Sequence, residues 1–158
     1  MSLDAVVYCD CFERNRLRSE PPAEWDVRVD QDGSRTSREN GLDEYLAFEA
    51  WNRNACEHEH GILLHHYIGN MAGVGFLRAK LSEQAWLFPF ILSRVIYNGI
   101  HAGDCIARPE IDRLDSEVQA LRRFHSSDRD DEAWLRRFEA QLSELIAASH
   151  QAGKPIVF

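Results

Sequence analysis

The chain has 158 residues, in which 26 Asp and Glu against 18 Lys and Arg leave a net charge of −8. A hydrophobic fraction of 44% beside 28% charged residues is that of a folded globular domain and excludes a disordered chain. The acidic balance argues against nucleic acid as a partner, which needs clustered Lys and Arg, and no apolar run approaches the roughly 18–20 residues of a membrane span.

The N-terminus lacks the basic region and long apolar core of a secretion signal, so the expected compartment is the cytoplasm. Leu3 to Cys9 is short and β-branched and predicts a strand buried on both faces. After a polar stretch broken by Pro21 and Pro22, Trp25 to Asp30 alternates apolar and polar residues. That is the period of a half-exposed strand, and Asp32-Gly33 turns it toward a partner strand at Ser34 to Thr36. From Leu42 the period becomes helical. Leu42, Tyr45, Leu46, Phe48 and Ala55 form the stripe, Asn40 the cap and Gly61 the stop.

Ile62 to Ile68 has the length of a strand. Met71, Val74, Leu77 and Leu81 predict a helix that Gly73 and Gly75 weaken by about 1 kcal/mol each unless close packing needs them. Phe90 to Tyr97 reads as a buried helix stopped by Asn98-Gly99. Pro109 opens a helix striped by Ile111, Leu114, Val118, Leu121 and Phe124. Asp128 to Glu132 caps the last helix, striped by Trp134, Leu135, Phe138, Leu142, Leu145 and Ile146 and ended by Gly153 and Pro155. These last two stripes are expected to face each other. Ile156 to Phe158 is expected to add a strand beside the first. The expected fold is a single compact α+β domain over residues 1–158, mostly helical, with about five helices and a small sheet of short strands.

Four cysteines, Cys9, Cys11, Cys56 and Cys105, are too few to staple such a domain and are expected as reduced thiols. Cys9 and Cys11 share one strand face, yet C-x-C is not the C-x-x-C of a zinc knuckle and no second such pair follows. They read best as small buried apolar side chains. His58, His60, His65 and His66 crowd into nine residues beside Cys56 and Glu57. No H-E-x-x-H spacing is present, so a metal stays unassigned, and His58 and His60 beside glutamates read as a solvated helix end.

The loop Tyr97-Asn98-Gly99-Ile100-His101-Ala102-Gly103-Asp104-Cys105 is the other place for chemistry. His101 and Asp104 are close enough for an imidazole–carboxylate hydrogen bond, although the glycines also suit plain helix ends. The candidate catalytic set is therefore His66, His101 and Asp104 around one cleft, with Cys11 (or Cys9) as a thiol at its edge. No phosphate-cradling loop, G-x-G-x-x-G or G-x-S-x-G elbow is present, so no cofactor is expected.

The segments Leu3 to Phe12, His66 to Asn70 and Tyr97 to Asp104 resemble small uncharacterised bacterial proteins. The resemblance implies a bacterial origin and brings no activity or site residue with it. Without a complete catalytic constellation, the reading favours an acidic, immunity-like or regulatory domain that binds a basic protein partner. The rival is a small metal-assisted or Cys/His-dependent enzyme.

Overall fold

The computed structural model describes residues 2–38, 41–98 and 104–158. Strand β1 (Ser2–Tyr8) lies inside a four-stranded antiparallel sheet with β4 (Ile62–Asn70), β5 (Cys105–Ile106) and β6 (Ile156–Val157), in the order β4-β1-β6-β5. A separate hairpin pairs β2 (Arg28–Val29) with β3 (Arg35–Thr36). The α-helices are α1 (Leu42–Asn54), α2 (Met71–Ser82), α3 (Arg108–Leu121) and α4 (Arg129–Ala152). A five-residue π-helical turn occupies Ile91–Val95. This is the expected α+β domain, and no described helix is long and apolar enough to cross a membrane.

One face of the sheet carries the main core. Leu3, Ala5 and Val7 are fully buried on that face, while Asp4, Val6 and Tyr8 on the other are only half-buried. The expectation of a strand buried on both faces fails because α2 and α4 cover one side only. Ile111, Leu114, Val118 and Leu121 of α3 are buried together with Leu135, Phe138, Leu142 and Leu145 of α4. The Arg136 guanidinium donates to the carbonyls of Leu121, Arg122 and Phe124, where α3 ends and the chain turns toward α4. Asp128 caps α4 by accepting from the backbone of Asp130 and Asp131, and Gly153 ends it at φ +69°. Strand β6 then pairs with β1 through Val6 and Val157, as the sequence predicts.

Three expected elements differ. Trp25 lies not in a strand but in a 3-10 turn (Ala23–Trp25), where its ring packs on Phe48 and Trp51 at 6.2 and 6.1 Å; only Arg28–Val29 remains extended. The helix expected from Phe90 is shortened to the π-helical turn. Its first donors, the amides of Phe90 and Ile91, are met at 2.8 Å by the carboxylate of buried Glu117, a partner 26 or more residues away. In α1 the stripe is largely exposed, for Leu42, Tyr45 and Leu46 face solvent and only Phe48 and Asn52 are buried. Asn40, Gly99 and Gly103, expected as a cap and helix ends, lie outside the described residues.

Candidate metal centre

Strands β1 and β4 run antiparallel with Tyr8 opposite Ile62, and the Cys9 amide continues the ladder by donating to Gly61 O at 2.7 Å. The exit of β1 therefore lies beside the entry of β4. On the exit side, residues 10–16 fold into a tight turn. The Arg14 amide bonds Asp10 O, the Arg16 amide bonds Cys11 O, and Asn15 adopts φ +52°. The Asp10 carboxylate holds Arg14 and Arg16 across the same turn. On the entry side α1 ends at Asn54, and a bend leads into a 3-10 turn (Glu59–Gly61). His60 at φ +52° and Gly61 at φ +70° reverse the chain there. The Arg18 amide donates to Ala55 O at 2.7 Å and ties the two corners together.

Each corner supplies a pair of soft donors two residues apart: Cys9 with Cys11, and Cys56 with His58. The three cysteines are 6%, 1% and 2% exposed and form a small buried cluster of their own, apart from the main core and flanked by Leu17 and Leu63. Their sulfurs and one His58 ring nitrogen lie within 4.8 Å of one another. Cys9 Sγ is 3.8 Å from Cys56 Sγ, and Cys11 Sγ is 3.5 Å from His58 Nδ1.

Those separations can be compared with a tetrahedral zinc shell. Bonds of about 2.3 Å to sulfur and about 2.0–2.1 Å to nitrogen set S···S edges of about 3.8 Å and S···N edges of about 3.5 Å. Two of the edges match, and the set needs a contraction of about 1 Å or less elsewhere. The donor types, three thiols and an imidazole, are those of closed structural zinc sites. A cavity of about 190 Å³ lined by Cys9, Asp10, Arg14, Arg16, Glu57 and His58 opens beside the cluster and gives an ion a way in.

The electrostatics of the cluster shift two of its thiols in opposite directions. Burial, with hydrogen bonding and like charge from Cys9 and Cys56, pushes the Cys11 thiol up to about 12. Burial also raises Cys56, but a backbone hydrogen bond from His58 and the guanidinium of Arg35 outweigh it and bring its pKa down. Three adjacent thiols resist joint ionisation because each new charge repels the last. A dication between them removes that obstacle.

The other candidate residues lie elsewhere. Cys11 is in the cluster. His66 pairs with Ala5 in the ladder, faces α4 and binds Glu144 at 2.7 Å. Asp104 leads into β5 and accepts from the Tyr97 hydroxyl. Strands β4 and β5 are the two edges of the sheet, three strand spacings or about 14 Å apart, which separates His66 from Asp104. His101 lies outside the described residues. His65 bonds Asp4 at 3.0 Å, and His60 sits between Glu49 and Arg53. His58, expected at a solvated helix end, is instead turned inward, its side chain 22% exposed. The signal for the centre was present in the sequence as two i, i+2 pairs, Cys9-Asp10-Cys11 and Cys56-Glu57-His58. A search for a second pair of cysteines overlooks a pair closed by histidine.

Comparison with protein-family models, curated proteins and solved structures returns no match.

Proposed function

We propose that the protein is a metal-stabilised binding module, in which Cys9, Cys11, Cys56 and His58 hold one zinc ion at the corner where β1 meets β4. The observation that carries this reading is the convergence of four soft donor atoms within 4.8 Å, from two segments about 45 residues apart in sequence. Four protein donors fill a tetrahedral shell and leave no open position for water or substrate, which favours a structural ion over a catalytic one. The ion would clamp the 10–16 turn to the α1–β4 connection, and the acidic exterior would present the surface to a basic partner. The enzymatic alternative draws support from the cavity beside Cys9 and His58, but it requires one of the four donors to stay off the metal.

The test is metal content and cobalt substitution on protein purified without a histidine tag and under reducing conditions. One zinc per chain is expected, replaced by cobalt(II) with the intense d–d bands and sulfur-to-cobalt charge transfer of a tetrahedral thiolate site. Cys56→Ser and His58→Ala should each weaken the uptake. A reduced protein that binds neither ion, or that gives only the pale spectrum of octahedral cobalt, would overturn the proposal.

A further inference from the structure

Arg35 is the one member of this corner whose behaviour a four-ligand description leaves unexplained. It sits on β3, in the small hairpin outside the main sheet, yet it is only 7% exposed. Its Nη2 lies 3.1 Å from Cys56 Sγ and 3.7 Å from Cys9 Sγ. The guanidinium carbon stands 5.8 Å from the centre of the Trp51 ring. Nη1 is buried with no hydrogen-bond partner, and among the described residues no carboxylate pairs with the group. Gly61 makes room for it, since a Cβ at Gly61 would come within 2.5 Å of Nη2.

A permanently charged guanidinium out of water needs a counter-charge. Here the atoms it reaches are two sulfurs. As thiols they are weak acceptors; as metal thiolates they are anionic acceptors. Three thiolates, a neutral imidazole and a dication sum to one negative charge, and one buried arginine cancels it.

Resting on the zinc reading above, we infer that Arg35 is the counter-ion and positioning residue of the centre, donating to the Cys9 and Cys56 thiolates and so coupling the β2–β3 hairpin to metal occupancy. Outer hydrogen bonds of this kind orient metal ligands and set their donor strength. A hydrogen bond to a thiolate lowers the energy of its lone pairs. Removing the bond raises those lone pairs and moves sulfur-to-metal charge transfer to longer wavelength. Arg35 also joins a third chain segment to the two that bear the ligands, and it does so beside the Trp25–Trp51 pair, a fluorescent reporter.

The experiment measures zinc affinity by chelator competition and the cobalt(II) charge-transfer band in the wild type, Arg35→Met, Arg35→Lys and Gly61→Asn. Arg35→Met keeps an apolar stem over Trp51 but no charge. It should bind zinc about ten- to a hundredfold more weakly and shift the band to longer wavelength. Arg35→Lys restores the charge and should recover most of the affinity. Gly61→Asn tolerates the positive φ, keeps Arg35 in the chain and displaces its guanidinium, so it should reproduce the Met phenotype even if Arg35→Met fails to fold. A purely packing role for Arg35 would leave the band unmoved. Wild-type affinity and an unshifted band in Arg35→Met, or in Gly61→Asn where Arg35→Met does not fold, overturn the role of Arg35 while leaving the metal centre intact. A wild type that takes up no cobalt overturns the centre and this role together.

Discussion

Between α3 and α4 the interior consists of side chains that avoid water, and Ile111, Leu114, Val118, Leu135, Phe138 and Leu142 are all essentially inaccessible. At the β1–β4 corner the interior consists of three thiols, an imidazole edge and a guanidinium. The first cluster is stable because burying apolar area is favourable at about 25 cal/mol per Å² without any partner. The second gains little from burial and has polar atoms to satisfy, a need that the proposed ion between its donors would meet. On the proposed reading one molecule uses two cohesive principles, and the small hairpin and the 10–16 turn would belong to the weaker side without metal.

Perturbations that act on one side only will test that division. Metal removal has the largest expected effect. With free zinc a thousandfold above the dissociation constant, binding adds about 4 kcal/mol of stability, which chelation withdraws. Hydrogen exchange should then rise at residues 9–18 and 55–61 while α3 and α4 stay protected; uniform loss of protection would show that the two sides unfold as one.

Leu142→Ala comes next. It should cost about 3 kcal/mol, within the range for emptied core sites, and by the same amount with zinc or with chelator in denaturant melts. A cost that depends on metal would couple the clusters. Gly75→Ala acts on the apolar side in the opposite direction. Nothing lies within 4 Å of the Cβ position, so helix propensity alone should raise stability by about 1 kcal/mol. At Gly73 the added Cβ would meet the Trp134 ring at 3.0 Å, and no such gain is expected.

The smallest effect is at the exposed rim of α3–α4. Glu139 binds Arg122 at 2.7 Å. Its partial burial raises its pKa, but Arg122 and Ser143 outweigh this and hold it below the usual carboxylate range. A pKa lowered on folding contributes stability above the unfolded value that is lost as pH falls through the folded one. Glu139→Gln should therefore cost about 0.5–1 kcal/mol near neutrality, and the difference from wild type should vanish in acid. A difference that persists at low pH would assign the effect to packing.

The same division explains what the sequence made legible. The α3 and α4 stripes follow from the period of apolar residues, and the strand expected at 62–68 and the return of Ile156 to the first strand from short apolar runs, all local properties; the strand runs on through Gly69 and Asn70, which read as a break. Glu117 capping the Phe90 and Ile91 amides does not, because its partners are distant in sequence and its charge looks like any helix-surface glutamate. The exposed stripe of α1 misleads for the opposite reason: periodicity fixes a helix face but not what covers it. The candidate metal centre depends on the pairing of β1 with β4. Only when Tyr8 is set against Ile62 do Cys9-x-Cys11 and Cys56-x-His58 become one group. The proposed cleft of His66, His101 and Asp104 joined polar residues by their surroundings alone, and the sheet places His66 and Asp104 at opposite edges.

The measurement that bears most directly on the account is zinc K-edge X-ray absorption on the reduced, zinc-loaded protein. Three sulfur scatterers at about 2.3 Å and one nitrogen at about 2.0–2.1 Å are expected, from Cys9, Cys11, Cys56 and His58. A shell of oxygen and nitrogen without sulfur, or one unchanged by Cys56→Ser, would contradict it.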